Sequence, residues 1–205
     1  MCGRFALWST EKIESRFQTT NKLTGFISSY NVSPGSITPI IIKNSPKQIK
    51  LMKWGMGDLI INARAEGIEE KYIFRDSISD RRCLVPVNGF YEWKRLNIEG
   101  KDEKMPWFIG LKGQTLFSLA GIYDTHNSYV IITTAPNKLL SQIHNRMPVI
   151  LNRNDEDKWL DRSLSISKAL NFLKPYPEKG MVGYSVSKQI NNPGNNFPSL
   201  VKEVK

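Results

Sequence analysis

The sequence predicts an α+β fold: an antiparallel, barrel-like β core with short peripheral helices in a single domain. Three observations point there. Apolar stretches of strand length, many rich in β-branched or aromatic residues, recur along the chain. The amphipathic stripes between them are short. Strands and helices do not alternate regularly, which disfavours a doubly wound parallel sheet. At 205 residues, with 40% hydrophobic residues, five Trp and nine Phe, the chain is long and apolar enough for one well-packed core.

Taken in order, residues 2–8 alternate small and large side chains and read as a strand, and Thr10–Gln18 places Ile13 and Phe17 on one helical face. Tyr30 to Gly35 is a turn cluster. Ile37–Ile42 is a β-branched strand whose Pro39 suggests an edge or a bulge, and Lys50–Met56 is another. Asn62–Gly67 lacks periodicity and is placed as a polar loop. Tyr72–Ile78 reads as a short helix. Arg82–Val87 is a buried strand that passes the Asn88-Gly89 turn signal into Phe90-Tyr91-Glu92-Trp93-Lys94. Leu96–Lys104 is charged and is expected to be a loop. Trp107–Leu111, Thr115–Ile122 and Tyr129–Thr134 form a meander. Pro136 opens a helix with the stripe Leu139, Leu140 and Ile143, and residues 146–151 return to strand. Asn154 is expected to cap a helix through Leu160, a second helix covers Ser165–Leu173, and Met181–Ser187 is the last strand. Residues 1–190 would be the domain and 191–205 a loose, polar, basic C-terminal arm.

The formal charge is +10, from 29 Lys and Arg against 19 Asp and Glu. An excess of that size points to a polyanionic partner, with nucleic acid favoured over a membrane surface. No run approaches a spanning helix, and charged residues interrupt the start, so neither a membrane segment nor a signal peptide is expected. Two cysteines and two histidines supply no disulfide framework and no zinc-ligand spacing. No metal or cofactor is expected, the compartment is reducing and cytoplasmic, and Cys83 reads as a small buried hydrophobe.

The candidate for chemistry is the opening Met1-Cys2-Gly3-Arg4-Phe5. Loss of Met1 would leave Cys2 with an α-amine and a thiol on adjacent carbons, a 1,2-aminothiol that closes on an aldehyde to a five-membered thiazolidine. Reference pKa values of about 8 for the amine and about 8.5 for the thiol leave reactive fractions of both near neutral pH. Glu92 lies among Phe90, Tyr91 and Trp93, an apolar setting that would raise its pKa and suit general acid/base work. His144, at a predicted helix end, is a candidate proton shuttle. Taken singly, Asn62 is a turn residue, Arg4, Arg64 and Arg146 are surface charges, and Trp54 and Trp93 are core.

Together they carry more. Met1-Cys2-Gly3-Arg4-Phe5, Trp54-Gly55, Asn62-Ala63-Arg64-Ala65-Glu66, Arg82-Cys83-Leu84-Val85-Pro86 with Gly89-Phe90-Tyr91-Glu92-Trp93, and His144-Asn145-Arg146-Met147-Pro148 follow the order and spacing of one family. From Cys2 to about Val186 the chain resembles the SOS-response-associated peptidase (SRAP) proteins. That resemblance implies binding to single-stranded DNA, or to single-strand/double-strand junctions, and covalent crosslinking to abasic sites by a protein expected to be a monomer, nucleoid-associated if bacterial. Cys2 would form the thiazolidine. Asn62 would hold the reacting sugar, and Glu92 would act on the α-amine and on autocatalytic removal of Met1, with AP-lyase activity a further option. His144 would assist opening of the deoxyribose, Arg4, Arg64 and Arg146 would hold phosphates, and Trp54 and Trp93 would lie near displaced bases. Asn88 and Asn145 depart slightly from the family pattern. Competing readings are a cysteine-nucleophile peptidase acting in trans and a passive single-stranded DNA-binding module.

Overall fold

A computed structural model describes residues 2–43, 45–58, 60–98 and 100–204 of the chain. Among these residues twelve strands follow one another: β1 (Phe5–Leu7), β2 (Ser29–Val32), β3 (Ile37–Lys43), β4 (Lys47–Trp54), β5 (Asn62–Arg64), β6 (Arg82–Val87), β7 (Gly89–Ile98), β8 (Lys101–Leu111), β9 (Phe117–Tyr123), β10 (Ser128–Thr134), β11 (Met147–Pro148) and β12 (Met181–Ser185). The helices are short: α1 (Ile13–Phe17), α2 (Tyr72–Asp80), α3 (Glu156–Leu160) and α4 (Ile166–Leu170). The predicted α+β class, with a barrel-like core, is what forms.

Strands β4, β3, β6, β9 and β10 hydrogen-bond in that order, and β10 then meets β4 in parallel through Tyr129↔Trp54, closing a ring. Closure rests on short contacts: two residue pairs join β10 to β4 and two join β3 to β6. Ile40, Ile41 and Ile42 of β3 and Val130, Ile131 and Ile132 of β10 are all buried, as β-branched residues on pleated, doubly covered strands should be. Outside the ring, α3 seats Trp159, whose Nε1 donates to the Cys83 carbonyl at 2.9 Å. Cys83 is fully buried, in keeping with its reading as a small hydrophobe.

The second sheet runs β12-β8-β7-β1-β2. The chain crosses into it from the ring at Asn88-Gly89. A Cβ on Gly89 would sit 2.1 Å from the Phe108 ring and 2.7 Å from the Ile109 carbonyl, so the crossing demands glycine. Asn88 secures the bend by accepting from the backbone N–H groups of Trp8 at 2.6 Å and Ser9 at 3.0 Å.

Several local expectations are corrected. Leu96–Lys104 is not a loop: apart from Glu99, which lies outside the described residues, it prolongs β7 and β8 into a ribbon paired Leu96↔Glu103 and Asn97↔Asp102. Its charges are the solvated positions of a projecting hairpin. Asn62–Arg64 is also a strand, pairing with β10 through Ile131↔Asn62 and Thr133↔Arg64; three residues are too few to show a period. The edge character expected at Pro39 does hold locally, because Pro39 pairs with β4 in a part of β3 that has no β6 partner. The stripe 139–143 forms only a 3₁₀ turn, Leu140–Gln142, and strand 146–151 shrinks to Met147–Pro148. Asn154 does not cap α3: it lies in a 3₁₀ turn and Asp155 occupies the cap position without a side-chain bond.

The segment after residue 190 is tied down rather than loose, Lys205 lying outside the described residues. The Asn31 amide donates to the carbonyls of Asn192 at 3.0 Å and Asn195 at 2.9 Å, and Leu200 is fully buried beside Ile190, Val186 and Tyr91. Among the described residues no helix is long and apolar enough to cross a membrane.

A candidate active site between the two sheets

Strand β1 carries the start of the chain alongside β7. Phe5 pairs with Phe90, and the Tyr91 N–H donates to the Arg4 carbonyl at 2.9 Å, so continuing that antiparallel register lays Cys2 beside Glu92 and Trp93. From the ring side, Asn62 at the start of β5 donates its Nδ2–H to the Cys2 carbonyl at 2.9 Å. Cys2 is thereby held from both sheets and is fully buried, whereas a chain end without such bonds frays. Met1 lies outside the described residues.

Burial pushes the Cys2 thiol well above its ordinary value, and the Glu92 carboxylate adds to that rise. At neutral pH the group is a thiol. Glu92 is 2% exposed, and desolvation lifts its pKa to about 7. The carboxyl can therefore take or give a proton near neutrality. The Oδ1 atom of Asn62 is buried with no hydrogen-bond partner among the described residues, leaving one acceptor for an incoming donor.

His144 follows the 3₁₀ turn, its N–H donating to the Leu140 carbonyl at 2.7 Å. The backbone N–H of Arg146 donates to Nδ1 at 3.1 Å, which assigns the neutral ring's proton to Nε2. Burial lowers the pKa of His144, and the nearby Arg95 charge acts in the same direction. Glu92 and His144 share an open pocket of about 320 Å³ with Trp93, Arg95 and Lys104. A contiguous pocket of about 450 Å³ extends it past Asn145 along Trp93 and Arg95.

Cys2, Asn62, Glu92 and His144 thus converge from residues far apart in sequence. The predicted binding residues divide. Trp93 lines the pocket, its Nε1 donating to Asn191 Oδ1 at 2.8 Å. Arg64 is exposed. Trp54 is fully buried, packed on Phe5 at 5.0 Å with its Nε1 donating to the Ile61 carbonyl at 3.0 Å, so no face is open for a base. Arg146 makes a two-bond pair with Glu66, both at 2.8 Å, which also holds the Glu66 carboxyl below its ordinary pKa, and donates to the Thr133 carbonyl at 2.6 Å. Arg4 donates to Asn31 Oδ1 at 2.7 Å and to the Ile190 carbonyl at 3.2 Å. Arg95 and Lys104 were missed. The alternation Trp93, Arg95 along one strand face is the signal that could have found the first.

A family model described as SOS response associated peptidase (SRAP) matches residues 1–193. The chain is 37% identical over 225 residues to the abasic site processing protein YoqW of Bacillus subtilis, covering 98% of this chain and 99% of that one. It is 28% identical to the abasic site processing protein HMCES of Xenopus tropicalis, over 86% of this chain and 66% of the relative. A protein of Bacteroides thetaiotaomicron of known crystal structure superposes over 100% of both chains with TM-score 0.86 at 28% identity. With the family model matched over residues 1–193 and a 37%-identical relative covered almost end to end, the chain belongs to the SRAP family.

Proposed function

We propose that this protein processes abasic sites in single-stranded DNA by forming a thiazolidine crosslink through Cys2 once Met1 has been removed. The observation that carries the reading is the placement of Cys2: bound by Asn62, adjacent to a Glu92 carboxyl that titrates near neutrality, and next to an open basic pocket that also holds His144. The names of the relatives YoqW and HMCES support it, and so does the charge of +10. A single strand is the fitting substrate because the pocket must take a sugar out of the stack, and no pairing energy is then lost.

The chemistry follows from the groups in place. An abasic deoxyribose is mostly a closed hemiacetal; a hydrogen bond from His144 Nε2–H to the ring oxygen assists its opening to the aldehyde. The neutral α-amine of Cys2 adds to the carbonyl carbon and water leaves, giving an imine. An imine left there promotes β-elimination and strand cleavage. Instead the Cys2 S–H adds across the C=N bond: carbon–sulfur bonding closes the ring, and the proton passes from sulfur to nitrogen. Because the buried thiol is not ionised, this step needs a base, and Glu92 with its pKa near 7 takes that proton and returns it. The free Oδ1 of Asn62 accepts from the amine or from a sugar hydroxyl. Anchoring the aminothiol beside the aldehyde supplies the effective concentration that dissolved cysteine lacks. In this reading Glu92 would also assist release of Met1.

The test is denaturing electrophoresis of the protein mixed with single-stranded DNA bearing one abasic site. A shifted band resistant to denaturation is expected, absent with undamaged DNA and lost in Cys2→Ser, which should keep salt-sensitive binding. Absence of the band with the wild type overturns the proposal, and an amino-terminally tagged protein that crosslinks equally well overturns the ring mechanism.

A further inference from the structure

The projecting ribbon of β7 and β8 places two cations against each other. Arg95 and Lys104 are direct cross-strand partners, so their side chains leave the same face of the ribbon, and both line the pocket that holds Glu92 and His144. Like charges directly opposite each other on an antiparallel pair repel and destabilise it unless an anion intervenes. No acid in the described residues forms a salt bridge with either. The neighbouring Glu103 lies on the opposite face and pairs with Lys188, while Lys94, also on that face, sits over the Trp107 ring at 5.7 Å. Trp93, one alternation before Arg95, closes the same face.

Two of the arginines predicted to hold phosphates are engaged within the protein. Arg146 is neutralised by Glu66, and Arg4 braces Asn31 and the carbonyl of Ile190. In the pocket that holds Glu92 and His144, the cationic lining side chains are this one cross-strand pair, Arg95 and Lys104.

We propose that Arg95 and Lys104 form a clamp for one backbone phosphate of the lesion-bearing strand, seating the sugar next to that phosphate in the pocket before Glu92 and His144. The clamp deepens the proposed function and rests on it for the identity of the strand. Arg95 offers a planar fork of donors and Lys104 a compact charge, a combination that holds a tetrahedral anion from two sides. Neither reads a base, so the clamp confers register without sequence preference.

Two measurements test it. The first is anisotropy of a fluorescent oligothymidylate without any abasic site, titrated at several salt concentrations with wild type, Arg95→Gln/Lys104→Gln and Lys104→Glu. Loss of one phosphate contact should lower the steepness of log affinity against log salt by about 0.7. Lys104→Glu sets an acid opposite Arg95, so its melting temperature should hold or rise while binding weakens. An unchanged salt slope overturns the clamp, as does a fall in melting temperature that accounts for the lost binding. The second uses abasic oligonucleotides with a single neutral methylphosphonate moved along the strand. One position near the lesion should slow wild-type adduct formation and have no effect in the double variant; equal sensitivity of both proteins at every position overturns the clamp. The salt slope on undamaged DNA does not involve Cys2, so absence of any adduct with an altered slope would count against the crosslink alone.

Discussion

Replacing Glu92 by Gln should stabilise the protein at high pH while slowing the proposed crosslinking. Burial raises the carboxyl from 4.5 to about 7. At roughly 1.4 kcal/mol per pKa unit, the folded protein loses about 3 kcal/mol by having to ionise this group in a dry setting. The sign follows from which state binds the proton. Below pH 4.5 Glu92 is protonated folded and unfolded, and the full stability is present. As pH rises the unfolded chain ionises first, stability falls, and the loss is complete once pH passes about 7. Gln cannot ionise and keeps the shape. In urea unfolding from pH 4 to 8.5, the two proteins should start alike and diverge progressively, Glu92→Gln ending more stable by up to about 3 kcal/mol at the alkaline end. The same variant should form the abasic adduct at least tenfold more slowly, the lower end of about 10²–10⁴ for general acid/base assistance being reduced because water can substitute in part. A stability difference that is flat with pH, or greater stability of the wild type at pH 8, would refute the buried-acid argument.

Two further outcomes follow from the anchoring of the site and of the chain end. Asn62→Ala leaves the Cys2 carbonyl without its donor and should cost about 1–3 kcal/mol by denaturant unfolding, with adduct formation slowed more than binding of undamaged DNA. Leu200→Ala should cost about 2–5 kcal/mol because the side chain is fully buried in the cluster with Ala6, Tyr91 and Phe108 of the second sheet; a change within error would restore the loose arm.

How much of this was legible in the sequence depended on range. The ring strands were, because β3 and β10 are apolar, β-branched and bounded by turn residues, and so was the buried pair Ile13 and Phe17 on α1. The ribbon was not. Its residues are the polar ones that strands avoid, and only the hydrogen bonding of two long strands to each other makes them extended. The docked C-terminal segment was hidden because Asn31, which holds it, lies some 160 residues away in sequence, and a polar, turn-rich stretch carries no local sign of such a partner. The two tryptophans show the same limit. Trp54 and Trp93 are alike as residue types, but Trp54 ends β4 where the ring closes on β10 and Phe5, while Trp93 lies on the ribbon at the pocket.

The site was legible in kind and not in electrostatic state. Motif order grouped Cys2, Asn62, Glu92 and His144, and the apolar neighbours of Glu92 pointed to a raised carboxyl. Reference pKa values for a terminal aminothiol suggested a usable fraction of thiolate, whereas the fold buries Cys2 completely and suppresses ionisation. That changes the logic of the proposed reaction. A solvated low-pKa thiolate would attack or be oxidised without discrimination. In the proposed reaction a buried thiol is inert until a carbon electrophile is delivered beside it, and Glu92 would then move its proton. Selectivity would therefore arise from the pocket proposed to admit the sugar, and the carboxyl proposed to activate Cys2 is held near neutrality by the same kind of burial that suppresses ionisation of the thiol.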